Sequence, residues 1–283
     1  MKYTIIALLF LITTTALCQP NTEIYLFDLE ADDAGMYSLL NPINISQNQG
    51  YDNQPSFWSD GNSILYARTV DGQTDIARYM IGTGKTKLIT NTLQGSEYSP
   101  TPTPDGRISS IRLDTTGLQL LYSYDLQGSD NVLVDDAVIG YHAWIDEDKL
   151  VAFVLGEPST LQVIDIAGGT SKTVAKEVGR SLHKIPKSKL VSFVDKSAEQ
   201  WIIKSLHPKK NTKADIVRTK SGVEDYCWTP RGEIIMGKGS ILWIWDGRSG
   251  WRQIADISTY GLSGITRVAI SPEGNQLALV VNQ

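Results

Sequence analysis

Residues 55–61 read Pro55-Ser56-Phe57-Trp58-Ser59-Asp60-Gly61, and the apolar run Ile64-Leu65-Tyr66-Ala67 follows directly. Proline, aspartate and glycine between two short apolar runs are the chemistry of a tight turn, so this stretch predicts a hairpin. The pattern recurs in Pro100-Thr101-Pro102-Thr103-Pro104-Asp105-Gly106 before Ile108, and in His142-Ala143-Trp144-Ile145-Asp146-Glu147-Asp148 before Leu150. It returns in His183-Lys184-Ile185-Pro186-Lys187-Ser188 before Leu190, in Tyr226-Cys227-Trp228-Thr229-Pro230-Arg231-Gly232 before Ile234, and in Val268-Ala269-Ile270-Ser271-Pro272-Glu273-Gly274 before Leu277. The first positions are 45, 42, 41, 43 and 42 residues apart. A second strand pair fits between successive hairpins, as in Asp75–Tyr79 with Lys87–Ile89. Four strands in a period of about 40–45 residues define a β-propeller blade, and six periods predict a six-bladed, all-β propeller of antiparallel blades.

The ends of the chain support closure. The sixth unit stops at Gln283 after one hairpin. Glu23–Asp28 and Ser38–Ile45 read as two further strands, so N- and C-terminal strands together complete one shared blade. Closing the ring in this way removes an open sheet edge.

Pro-x-Phe-x-x-Asp-Gly ahead of an alternating strand resembles the repeat of the TolB-type six-bladed propellers of the bacterial periplasm. Those repeats are similar to WD repeats without their Gly-His and Trp-Asp signature. The resemblance covers residues 19–283 and is clearest in the first two units and the last. Units three and four depart from it, with His142 and His183 at the leading position and no Asp-Gly pair. The resemblance implies a fold shared by proteins of many tasks. The additional domain of TolB and the hydrolase domain of related peptidases have no counterpart in the sequence.

Composition narrows the partners. The 283 residues carry 41% apolar and 20% charged side chains and a net charge of −5. The cations form no long stripe, which argues against nucleic acid, where affinity comes mostly from phosphate contacts. Met1-Lys2, the apolar run Ile5–Ile12 and the segment Ala16-Leu17-Cys18 match an export signal spanning residues 1–18. The apolar run is too short to span a bilayer. Cys18 kept and acylated is the alternative, although Leu17 is a poor neighbour for that chemistry. The expectation is a monomeric propeller domain over residues 19–283, periplasmic or secreted and not membrane-spanning. Cys227, in an apolar-aromatic context, is expected to be a buried thiol.

Motifs for chemistry are scarce. Gly82-Thr83-Gly84-Lys85-Thr86 ends like a phosphate loop, but Tyr79 stands where its first glycine is needed and no helix follows. Gly261-Leu262-Ser263-Gly264-Ile265 fails as a nucleophile elbow. The acidic stretch Glu30–Gly35 lacks alternating calcium ligands. No cofactor, metal or catalytic residue is therefore assigned. The one constellation is the ring of residues that begin the innermost strands: Asp52 and Gln54, Glu97 and Ser99, Tyr141 and His142, Arg180 and His183, Glu224 and Asp225, Thr266 and Arg267. From it, Asp52, Glu97, Tyr141, His142, His183, Asp225 and Arg267 form the candidate ligand site at the channel mouth. Imidazoles beside carboxylates suit an anionic group or a transition metal; equally, polar residues of crowded inner strands bond neighbouring blades. Trp228, Trp243, Trp245 and Trp251 offer either a stacking platform or packing between blades. The function expected is an exported, non-catalytic binding or scaffold propeller for a protein, peptide or glycan, through one face or the central funnel. The alternative is a hydrolase or lyase at the channel mouth.

Overall fold

The computed structural model describes residues 20–32 and 35–283; the segment read as an export signal, residues 1–18, and residues 33–34 lie outside them. The first two strands are β1 (Thr22–Ala31) and β2 (Tyr37–Asn44). Four-stranded sheets follow in sequence. They comprise β3 (Asp52–Phe57), β4 (Ser63–Val70), β5 (Gln73–Met80) and β6 (Lys85–Leu88), then β7 (Gly95–Pro102), β8 (Ile108–Asp114), β9 (Gln119–Tyr124) and β10 (Asp130–Val134). The third blade has β11 (Ile139–Trp144), β12 (Lys149–Val154), β13 (Thr160–Asp165) and β14 (Thr170–Lys176). The fourth has β15 (Val178–Lys184), β16 (Val191–Asp195), β17 (Ile202–His207) and β18 (Thr212–Arg218). The fifth has β19 (Tyr226–Trp228), β20 (Ile234–Lys238), β21 (Ile241–Trp245) and β22 (Arg252–Asp256). A short 3-10 turn, Ile257–Tyr260, leads to β23 (Ile265–Ile270) and β24 (Gln276–Asn282).

The sixth sheet has the order β2-β1-β24-β23, so the ends of the chain close the ring as their sequence predicts. Thr22 pairs with Asn282 and Asp28 with Gln276, a seven-residue antiparallel ladder that leaves β24 no free edge. The hairpin turns follow their composition: Gly61 and Gly106 adopt φ of 71° and 82°, a region open to glycine without steric cost.

Apolar packing gathers at the seams between blades. Ile24, Leu26, Ala278 and Val280 of the closing blade meet Ile64, Tyr66 and Ala77 of the first. Between the fourth and fifth blades, Val194 and Ile203 meet Tyr226, Ile234 and Met236. Trp228, Trp245 and Trp251 pack against that same seam, and Trp251 Nε1 donates to the Arg218 carbonyl at 2.8 Å. The Lys220 ammonium covers Trp243, 3.3 Å from its ring centre. These indoles therefore join two blades. Cys227 is buried, and burial pushes its thiol far up.

Candidate functional site

The tunnel is lined by the first strand of each blade, and its side chains are aimed by β-bulges. The ladders slip between Asn53 and Ser56, Tyr98 and Thr101, Ile139 and Tyr141, Val178 and Leu182, and Ile265 and Arg267. A bulge bends its strand and redirects the residues within it. At two bulges Gln54 and Ser99 take φ of 58° and 53°, left-handed values that non-glycine residues rarely adopt. Counted from the cross-strand partners, Gln54, Ser99, Tyr141, Ser181, Asp225 and Arg267 form one ring. All six line a well of about 350 Å³.

Two corrections to the sequence reading follow. Asp52 and Glu97 do not line the well. They precede the bulges, pair in regular ladder with Arg68 and Arg112, and are fully buried. Asp52 accepts from Asn48 Nδ2 at 2.8 Å; Glu97 accepts from the Tyr124 hydroxyl at 3.1 Å and faces Thr90 and Asp75 of the preceding blade. Burial pushes Asp52 up to about 6 and Glu97 up to about 7. The second correction concerns the histidines. His142 pairs with Ala152, and the residue in that register in the fourth blade is Leu182, opposite Phe193. His183 is thus one residue out of step with His142, and a one-residue slip turns a side chain to the other face.

The structure does bring together Tyr141, His142, His183, Asp225 and Arg267 as lining residues of the well. Arg267 spans it. Its guanidinium donates to Asp225 Oδ1 at 2.7 Å, to the Tyr141 hydroxyl at 3.0 Å and to Asn53 Oδ1 at 3.2 Å, linking the closing blade to three others. Burial opposes the Arg267 charge, but Asp225 and the phenols of Tyr141 and Tyr51 outweigh it and hold the proton firmly. Arg180 donates to the other Asp225 oxygen at 2.7 Å, and its backbone N–H donates to Glu224 at 2.9 Å. Two guanidinium groups thus clamp one carboxylate. Tyr141 and Arg180 also line a separate cavity on the side where the inner strands begin, so these residues partition the tunnel.

The imidazoles are held inside this packing. His142 Nε2 lies 2.6 Å from Ser109 Oγ, and Trp144 Nε1 donates to the same oxygen at 2.9 Å. Ser109 in turn donates to the Thr101 carbonyl at 3.2 Å, so one hydroxyl ties the second blade to the third. The arrangement repeats between the fourth and fifth blades, where Tyr226 and Trp228 donate to Ser192 Oγ at 2.7 and 2.8 Å. His142 is the counterpart of Tyr226 in this seam. His183 contacts Ser181 Oγ at 3.0 Å and leans on the Tyr226 ring. Burial pushes His142 down to about 4; burial does the same to His183, with the Asp225 charge opposing it. Both rings are uncharged at neutral pH and supply no cation for an anionic group. No cluster of three or more metal-ligating side chains occurs among the described residues.

Sequence reading missed a second recurring contact, a carboxylate tied to a hydroxyl at two other seams. Glu23 accepts from Ser46, whose oxygen also receives the Ile24 N–H; Asp75 accepts from Thr90, whose oxygen receives the Ile76 N–H. An acidic residue followed by isoleucine at the head of the third strand, Glu23-Ile24 and Asp75-Ile76, is the signal that marks it.

The fold and the ring of inner strands define a six-bladed β-propeller with a partitioned central tunnel. No family model and no curated protein matches the chain. Solved structures do. A protein described as TolB, from Agrobacterium tumefaciens, superposes with a TM-score of 0.71 at 14% identity, over 94% of this chain and 99% of that one. A gluconolactonase from Xanthomonas campestris gives 0.66 at 8% identity, over 94% and 97%. An oligogalacturonate lyase in complex with manganese gives 0.59 at 11% identity, over 94% and 99%. The chain has the TolB-type six-bladed propeller fold. At these identities the likeness is one of fold, and its neighbours include both TolB proteins and enzymes.

Proposed function

We propose that this propeller is an exported, non-catalytic binding module that recognises a protein, peptide or glycan through one face or the central well. The observation that supports this most is the state of the well. Its carboxylate, Asp225, is clamped by Arg180 and Arg267, and its two imidazoles are neutral and packed into the seams. General acid–base catalysis calls for groups free to exchange protons near the working pH, and these groups are otherwise engaged. The ring of Gln54, Ser99, Tyr141, Ser181, Asp225 and Arg267 gives a fixed polar surface suited to recognition, presented by rigid strands. The TolB-like neighbour and the signal-like residues 1–18 favour the periplasm or the exterior as its place of work. Among the described residues no helix is long and apolar enough to cross a membrane.

Catalysis at the same mouth is the competing reading, favoured by the lyase and gluconolactonase neighbours. One experiment separates the two. Residues 19–283 are screened on peptide and glycan arrays and, in parallel, incubated with aldonolactones and oligouronates. Saturable binding without product is expected. Product formation that disappears in Asp225→Asn replaces the binding reading with the catalytic one.

A further inference from the structure

A cleft between the third and fourth blades gathers more positive than negative side chains. The β11–β12 turn, the β15–β16 turn and the β17–β18 turn surround a cavity of about 680 Å³, distinct from the well of the Arg267 clamp although Lys184 borders both. Among the described residues Lys149, Lys184, Lys189, Lys209 and Lys210 line it together with Asp146, and the same β11–β12 turn carries Glu147 and Asp148. Lys149 is neutralised by Asp165 at 2.8 Å, and the Lys184 ammonium donates to the Ile145 carbonyl. Lys189, Lys209 and Lys210 are exposed, and all three belong to turns of the fourth blade. Like charges held close repel one another and cost stability, and an anion between them removes that cost. The chain as a whole is acidic, at −5, so the cleft departs from the sign of the molecule.

The rest of the lining selects among anions. Ile145, Leu190 and Pro208 supply apolar surface beside the ammonium groups. Among the described residues no tryptophan, tyrosine or phenylalanine lines the cleft, so a sugar ring has no such face to stack on. Among them no arginine lines it either, so the planar fork that matches phosphate bidentately is missing. Lysines act as mobile point charges, suited to several separate carboxylates along a chain. The volume lies in the range of preformed ligand sites and accommodates a few extended residues. We propose that this cleft docks an acidic linear peptide segment of a partner protein, with one apolar side chain between its carboxylates. The proposal rests on the binding reading above and names a second surface and a partner chemistry for it.

The test uses a fluorescein-labelled peptide, acetyl-Glu-Glu-Leu-Glu-Glu-amide, titrated with residues 19–283 and read by anisotropy. Binding is expected to be saturable and to weaken about tenfold or more when salt rises from about 0.05 M to about 0.3 M. The surface variant Lys189→Gln/Lys209→Gln/Lys210→Gln is expected to bind at least about tenfold more weakly with an unchanged thermal midpoint. Replacing the central leucine by serine is expected to weaken the wild-type interaction as well. The proposal is overturned if the peptide fails to bind, if the triple variant binds it equally, or if the serine peptide binds as well as the leucine one. It is also overturned if polygalacturonate or inorganic phosphate displaces the peptide at matched charge, since the cleft is then a general anion patch. If the peptide arms fail while an array ligand binds both forms, the cleft falls and the binding reading stands. Arrays on which neither form captures anything sink the wider reading itself.

Discussion

Replacing His142 by glutamine separates a buried structural imidazole from an exposed titrating one. The ring is 7% exposed and sits 2.6 Å from Ser109 Oγ. In the folded chain burial pushes it down to about 4, against 6.5 for the free side chain. The unfolded chain therefore takes up this proton first as the solution is acidified. The contribution of the neutral ring to stability is complete above pH 6.5 and drains away as pH falls through 4. At pH 5 the loss is about 2 kcal/mol, from about 1.4 kcal/mol per pH unit over the 1.5 units below 6.5. Glutamine does not titrate, so its stability lacks this component. It also fits the ring space poorly and disturbs the bond to Ser109, a cost of about 1–3 kcal/mol at neutral pH. The variant is therefore expected to be the less stable protein at pH 7.5, and the gap is expected to close by about 2 kcal/mol at pH 5. Urea unfolding followed by tryptophan fluorescence measures both values, and other titrating groups cancel in the difference. A gap that is constant between the two pH values, or wider in acid, refutes a buried neutral His142.

The carboxylates of the other seams predict the opposite trend. Glu97, fully buried and pushed up to about 7, stabilises the fold as a neutral acid below pH 4.5 and loses that contribution as pH rises through 7. Glu97→Gln is expected to gain about 3 kcal/mol on the wild type between pH 4.5 and pH 8 in the same urea assay; a pH-independent difference contradicts the burial. Arg267→Met leaves Asp225 with Arg180 as its remaining ion-pair partner and frees the Tyr141 hydroxyl. It is expected to cost about 3–5 kcal/mol, with part recovered by adding Asp225→Asn; a loss under about 1 kcal/mol means the clamp is not a buried pair. Deleting residues 19–46 removes β1 and β2 and bares the β24 edge. Lower thermal stability and self-association on light scattering are expected; a monomer with the original midpoint refutes closure by the chain ends.

What could be read from the sequence, and what could not, divides at the bulges. Turn residues act locally: proline and glycine fix backbone angles wherever they stand, so Asp60-Gly61 and Asp105-Gly106 announce hairpins without any tertiary information. The 42-residue rhythm and the incomplete last unit then lead to six blades and a shared closing sheet. Side-chain direction within an inner strand is a different matter, because it depends on where the ladder slips. Gln54 and Ser99 carry the strained angles at two bulges, yet neither is a residue type that signals a left-handed backbone. Placing the residues that begin the inner strands at the tunnel mouth therefore puts Asp52 and Glu97 there, whereas the bulges leave them in the seams. The same uncertainty of one residue made His183 look like the counterpart of His142. The correct counterpart was present in the sequence in another form. His142-Ala143-Trp144 and Tyr226-Cys227-Trp228 each stand 33 or 34 residues after a serine, Ser109 and Ser192, and the two groups make the same pair of hydrogen bonds. A ring-x-tryptophan pair answering a serine one blade upstream is a packing signature, and it accounts for His142 Nε2, while the buried Nδ1 has no hydrogen-bond partner among the described residues. The polar residues left to meet a ligand are those of the ring, Gln54, Ser99, Tyr141, Ser181 and Arg267 at bulges and Asp225 just ahead of β19, and no two neighbouring blades contribute the same side chain there. Variation of that kind around a constant frame suits recognition on a propeller, because the strands are fixed by folding while the ring and the turns remain free to vary.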